Sequence, residues 1–181
     1  MYPIIKFIKI REGFTLPKEF EINFDLYVYS NEAAKSQTII RFTNTDKKHS
    51  FTGARIPLVK LNKDSNKLEI YFQVNGQLGW NFKTNDEIVL NAQNIVVIKQ
   101  VKEGSDYKFK VSLNGTEQTN VGNSVPLDFE NVWLTTGENN GNTIPADGRI
   151  ENLRVWPGKT CTYLCYIVFV EPSLLKANVD M

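Results

Sequence analysis

From Glu19 to Tyr29 the chain reads Glu19-Phe20-Glu21-Ile22-Asn23-Phe24-Asp25-Leu26-Tyr27-Val28-Tyr29. Phe20, Ile22, Phe24, Leu26 and Val28 alternate with Glu19, Glu21, Asn23, Asp25 and Tyr27. A period of two sends successive side chains to opposite faces of an extended backbone, so this segment is expected as a half-buried strand. The pattern recurs at Leu68, Ile70, Phe72 and Val74 against Lys67, Glu69, Tyr71 and Gln73, followed by Asn75-Gly76. Asn-Gly supplies the positive φ angles of a tight hairpin turn, and Leu78, Trp80 and Phe82 read as the return strand. A third copy, Tyr107, Phe109, Val111 and Leu113, ends in Asn114-Gly115 and predicts a second hairpin.

Shorter strands are expected at Ile4 to Ile10, Thr38 to Thr43, Ile56 to Leu61, Ile88 to Leu90, Ile95 to Lys99, Val132 to Thr135 and Ile150 to Val155. No stretch repeats apolar residues at 3.6 spacing between caps, so little helix is expected. Many strands, each with one apolar face, bury those faces by stacking two sheets or closing a barrel. Near-even spacing and long polar connections favour an antiparallel two-sheet sandwich. The connections Asn44 to Ser50, Asn62 to Asn66, Glu103 to Asp106, Thr116 to Pro126 and Thr136 to Gly148 are expected at sheet edges and rims, where binding is usually grafted.

Composition agrees with this all-β reading. The 181 residues carry 19 Asn, 11 Gly and 7 Pro, a supply of turn formers suited to many short strands. One domain is expected at this length, residues 1–156 forming the sandwich and 157–181 a tail or covering segment. With 21 Lys+Arg against 20 Asp+Glu and a pI near 7.7, the basic footprint of a nucleic-acid binder is missing. The longest apolar run, Tyr163 to Val170, falls well short of the roughly 18 residues of a membrane-spanning helix, so no membrane span is expected. The opening Met1-Tyr2-Pro3-Ile4-Ile5-Lys6 lacks a signal-peptide h-region, leaving an intracellular chain and one that begins after processing both open. Cys161 and Cys165 are either bridged or two buried thiols; on an extended strand their spacing is about 13 Å, beyond disulfide reach.

The order of motifs resembles the concanavalin A-like jelly-roll sandwiches, and within them laminin G-like and pentraxin-like domains. Three segments carry the likeness: Leu16-Pro17-Lys18-Glu19-Phe20-Glu21-Ile22-Asn23-Phe24, Tyr107 to Gly115, and Trp133-Leu134-Thr135-Thr136-Gly137 followed by Asp147-Gly148-Arg149-Ile150-Glu151-Asn152-Leu153-Arg154-Val155. The likeness covers roughly Phe14 to Trp156. It implies a secreted, extracellular recognition module, while the laminin G-type cysteine pair and the pentraxin signature around its histidine, cysteine and tryptophan are not in the matching places.

Candidate site residues follow from chemistry. A sugar offers one apolar face and a rim of hydroxyls, so an aromatic flanked by amides suits it: Trp80 beside Asn81, the loop amides Asn139 and Asn142, and outward Tyr71 are expected to line a ligand site. Trp133 is a further candidate, as is the tyrosine row Tyr27, Tyr29 and Tyr71, which reads either as cross-strand pairs or as a contact surface. Calcium requires several oxygen ligands, and Asp46, Asp64 and Asp147, near Asn44 and Asn66, are the candidates. Catalysis finds less support. Glycosidases of this fold place paired carboxylates on one strand, but Glu19 and Glu21 read as a solvated surface and His49 as an exposed loop residue. Galectin-type recognition fails in order and spacing, since Arg41 precedes Asn44 and His49, and Trp80 is followed by Asn81 and Lys83.

These readings converge on a non-catalytic module that binds a glycan or an extracellular protein through rim loops, with possible calcium assistance. The alternatives are an assembly subunit forming homo-oligomers through the tyrosine face and apolar tail, and an unusual glycoside hydrolase.

Overall fold

A computed structural model describes residues 2–4, 8–31, 34–45, 52–137, 143–156 and 158. Thirteen strands run in the order β1 (Tyr2–Pro3), β2 (Ile8–Leu16), β3 (Phe20–Ser30), β4 (Gln37–Thr43), β5 (Leu58–Leu61), β6 (Leu68–Tyr71), β7 (Asn81–Lys83), β8 (Asn94–Glu103), β9 (Asp106–Leu113), β10 (Thr116–Gly122), β11 (Phe129–Thr136), β12 (Ile144–Pro145) and β13 (Asp147–Trp156). No helix occurs among the described residues. One sheet has the order β1-β13-β3-β8-β9-β10 and the other β2-β11-β4-β5-β6-β7, with β12 added parallel to β4. The two stacked sheets are the jelly-roll sandwich expected from the alternating pattern.

β3 holds the centre of the first sheet. Its residues Ile22, Phe24, Leu26 and Val28 are fully buried, and it pairs antiparallel with both β8 and β13. Gly148 in β13 faces Val28, and a Cβ there would run into the Tyr27 carbonyl oxygen. Glycine is what lets β13 lie this close to β3. From the second sheet, β4 brings Ile39, Ile40 and Phe42, and β6 brings Leu68 and Ile70.

The sheets lock together through aromatic rings. Phe72, just past β6, stacks on Phe109 of β9 with centroids 4.5 Å apart and planes 9° apart. Phe20 of β3 meets the same ring at 5.6 Å and Phe129 of β11 at 6.5 Å. Phe14 and Phe42 form a second edge-to-face pair within the other sheet. Offset and edge-on geometries set the quadrupoles favourably and add to the area buried.

Several boundaries differ from the sequence reading. Ile88 to Leu90 is a loop rather than a strand: the Ile88 side chain is buried, but its N–H donates to the Asn66 carbonyl of the neighbouring loop. Thr116 to Pro126 is not all loop, because β10 occupies its first part and pairs with β9 across a bulge between Glu117 and Thr119. In the Asn75-Gly76 hairpin the ladder covers only Glu69 to Tyr71 against Asn81 to Lys83, and a single bridge, Val74 to Gln77, closes the turn. In the Ile4 to Ile10 segment the described part is Ile4, just past β1, and Ile8 to Ile10, the start of β2. The tail after Pro157, with Cys161 and Cys165, lies outside the described residues apart from Gly158.

Phe72→Ala is expected to cost about 3–5 kcal/mol in urea unfolding, the range for deleting a buried ring. A loss under about 1 kcal/mol, the size of an ordinary point change, would show that the cross-sheet stack is not what holds the layers.

Candidate functional site

Three rim connections meet at one end of the sandwich: the β6–β7 hairpin tip, the β8–β9 hairpin and the chain leaving β10. They enclose a cleft of about 450 Å3 lined by Asn75, Ser105, Asp106, Tyr107, Lys108, Gly122, Asn123, Ser124 and Pro126. The volume falls within the roughly 300–1,000 Å3 of small-molecule sites.

Buried amides hold the cleft in shape. Asn123 is 2% exposed, and its Nδ2 donates to Gln100 Oε1 at 2.6 Å and the Gln73 carbonyl at 3.4 Å. Its Oδ1 accepts the N–H groups of Asn75 at 2.9 Å and Val125 at 3.3 Å. Gln100, fully buried on β8, passes its own Nε2–H to the Lys18 carbonyl at 2.6 Å. Asn75 sits in the left-handed region at φ 52°, where Asn is tolerated, and its Oδ1 accepts both the N–H and the Oγ–H of Ser124 at 2.6 and 2.9 Å. The cleft wall is therefore tied to both sheets before any ligand arrives.

The expected ligand residues distribute differently. Tyr71 and Asn81 come together as cross-strand partners on the outer face of the second sheet. Tyr71 donates its hydroxyl to Glu69 Oε2 at 3.2 Å, and the Arg55 and Lys60 cations lie 4.8 and 4.6 Å from its ring centre. Burial, followed by the Glu69 carboxylate, raises the Tyr71 pKa. Trp80 does not share that face: it packs edge-on against Phe109 at 5.6 Å, on the core side. Trp133 is half-buried on β11, alternating with the core residues Val132 and Leu134. Asn139 and Asn142 lie outside the described residues.

Tyr27, Tyr29 and Tyr71 do not form one row. The first two stand on β3 of one sheet and Tyr71 on β6 of the other, so they face opposite sides of the molecule. Arg149 of β13 sits 4.0 Å from the Tyr27 ring centre and donates to the Tyr29 hydroxyl and to Glu151. Glu19 and Glu21 line a smaller groove of about 320 Å3 with Trp156, where Glu19 Oε2 accepts the Lys102 N–H at 3.2 Å.

Two of the calcium candidates, Asp64 and Asp147, lie among the described residues. Asp64 pairs with Lys63 at 2.8 Å, and Asp147 accepts the Ser30 hydroxyl at 3.0 Å. In the loop that carries Asp64, Asn31 Nδ2 donates to the Asn62 and Ser65 carbonyls and to Asn66 Oδ1 at 2.9–3.1 Å. Among the described residues no three of His, Cys, Asp and Glu gather as a metal group; Asp46 and His49 lie outside them.

Sequence reading missed the cleft residues. Asn75 read only as half of the Asn75-Gly76 turn, and the signal for Asn123 and Ser124 was membership of the Thr116 to Pro126 connection expected at the rim.

No family model matches the chain, and no curated protein does. Solved structures do. A heptameric SAP-like pentraxin from Limulus polyphemus is similar at TM-score 0.57 and 14% identity, over 86% of this chain and 74% of that one. The sialidase module CBM40 of Ruminococcus gnavus, bound to alpha2,3 sialyllactose, is similar at TM-score 0.54 and 16% identity, over 86% and 93%. A sialidase from Trypanosoma rangeli is similar at TM-score 0.55 and 10% identity, over 77% of this chain and 20% of that one. These likenesses show the fold alone, a two-sheet antiparallel jelly-roll sandwich.

Two measurements probe the rim. Asn123→Ala is expected to cost about 1–3 kcal/mol, because it strands the buried Gln100 Oε1, and to speed amide exchange at Asn75 and Val125. At Glu103, a hydrogen bond from Lys110 at 2.5 Å, then the charges of Lys110, Lys108 and Lys99, holds the carboxyl below the ordinary carboxylate range. A lowered folded pKa means this contribution is present above the ordinary range and lost as pH falls through the lowered value. Lys110→Gln should return Glu103 toward that range in an NMR titration; an unmoved midpoint contradicts the pairing.

Proposed function

We propose that this protein is a non-catalytic glycan-binding module and that the rim cleft holds the sugar. The observation that carries the reading is the cleft itself, a sugar-sized concavity whose wall is fixed by buried amides and whose lining mixes an apolar side with hydroxyl, amide and charged groups. Tyr107 and Pro126 offer surface to the C–H face of a pyranose. Ser105, Ser124, Asp106 and Lys108 offer donors and acceptors to its hydroxyls. Supporting it, the sialidase module of the same fold binds sialyllactose. A preformed site loses little conformational entropy on binding, which suits ligands held by a few hydrogen bonds. An extracellular setting fits such a ligand.

Calcium is not needed for this mode, since Asp106 is the single carboxylate among the cleft-lining residues. Binding is expected on a glycan array and to be the same with calcium and with chelator. Gly122→Leu is expected to abolish it with the fold intact by circular dichroism. A Cβ at Gly122 meets nothing nearer than Lys108 Nζ at 4.0 Å, so the larger side chain fits the fold but fills the cleft. Unchanged glycan binding by that variant would move the site elsewhere, and no glycan bound at all would overturn the reading.

A further inference from the structure

Lys108 is the one cation among the residues that line the cleft. Its cross-strand neighbours are Val101 on β8 and Gly122 on β10, neither of which offers an acceptor side chain. Among the described residues no hydrogen bond or ion pair reaches its ammonium, although the residue is half-buried. Glu103, the nearby carboxylate on the same hairpin, is engaged by Lys110. Asp106, in the cleft, accepts the Ser105 hydroxyl at 3.2 Å and forms no ion pair with Lys108. The β8–β9 hairpin brings Lys99, Lys102, Lys108 and Lys110 against only Glu103 and Asp106. Lys99 and Lys110 even stand directly opposite one another, an arrangement that costs stability between like charges. The hydrogen bond from Lys110 chiefly lowers the Glu103 pKa, and the charges of Lys110, Lys108 and Lys99 lower it further.

We infer that the rim cleft selects an acidic sugar, one bearing a carboxylate or sulfate group, and that the Lys108 ammonium receives that anion. The inference rests on the glycan-binding reading above and adds the charge of the ligand to it. Gly122 matters here a second time: without a side chain on β10, the anion reaches Nζ from the cleft side. Tyr107 and Pro126 then face the uncharged part of the ring, and the Ser105 and Ser124 hydroxyls its remaining oxygens. A bound oxyanion supplies the Lys108 ammonium with a charge-assisted hydrogen bond that no acceptor among the described residues provides.

The test uses the full chain on an array of neutral, uronic-acid-terminated, sialylated and sulfated glycans. The best acidic binder is then titrated beside its neutral counterpart, the methyl ester or the desulfated form. The acidic member is expected to bind at least about tenfold more tightly than its neutral counterpart, the loss typical of one charge-assisted hydrogen bond. Lys108→Gln should erase that preference while Lys108→Arg keeps most of it, and affinity should fall as salt rises. Carboxylated and sulfated arms separate the two sources of the anion. Equal binding of neutral glycans, unaltered by Lys108→Gln, overturns the charge selection and leaves the glycan reading standing. Retention of no glycan of any kind removes the glycan reading, and the inference with it.

Discussion

The stack of Phe72 on Phe109 is the contact on which the rest of the architecture depends, because it joins the two sheets at the end where the cleft lies. Phe20 and Phe129 close around the same ring, so all four aromatics are shared between layers rather than held within one. Next to this cluster, Trp80 covers the outer edge of Phe109. Ring packing of this kind fixes the separation and registry of the sheets, and the rim loops inherit their positions from it.

A buried polar network stands on that apolar base. Gln100 on one sheet, the Gln73 carbonyl beside the other and Asn123 between them form hydrogen bonds that would be lost if the layers shifted. Inside a low-dielectric rim, each of these groups is costly when unpaired, so the network specifies one arrangement of the rim rather than merely permitting it. The cleft is therefore rigid for the same reason that the core is unique. The cleft lining adds to that network the Tyr107 ring, the Asp106 carboxylate and the Lys108 ammonium.

The outer faces of the two sheets carry chemistry of a different kind. On the first sheet, Tyr27 and Tyr29 clasp Arg149. On the second, Tyr71 is flanked by Arg55, Lys60 and Glu69. Both clusters satisfy themselves largely within the chain, whereas the Lys108 ammonium meets no acceptor among the described residues.

How far the sequence alone reached follows from the range of its signals. Alternation along Glu19 to Tyr29 and Tyr107 to Leu113 told which side chains face the interior, and the structure buries Phe24, Phe109 and Leu113 accordingly, because a two-residue period is a local property of an extended backbone. Asn75-Gly76 and Asn114-Gly115 likewise turn where their chemistry demands positive φ. Trp80, read in phase with Leu78 and Phe82 and also as a ligand aromatic, lies just before β7 and packs on the core side against Phe109. The clamp of Asn75 on Ser124 joins residues 49 positions apart, and Asn123 reaches Gln100 across 23. Such pairings exist only once the sheets have stacked, so the solvent-facing and core-facing surfaces were written in the order of residues, while the cleft was made by tertiary packing.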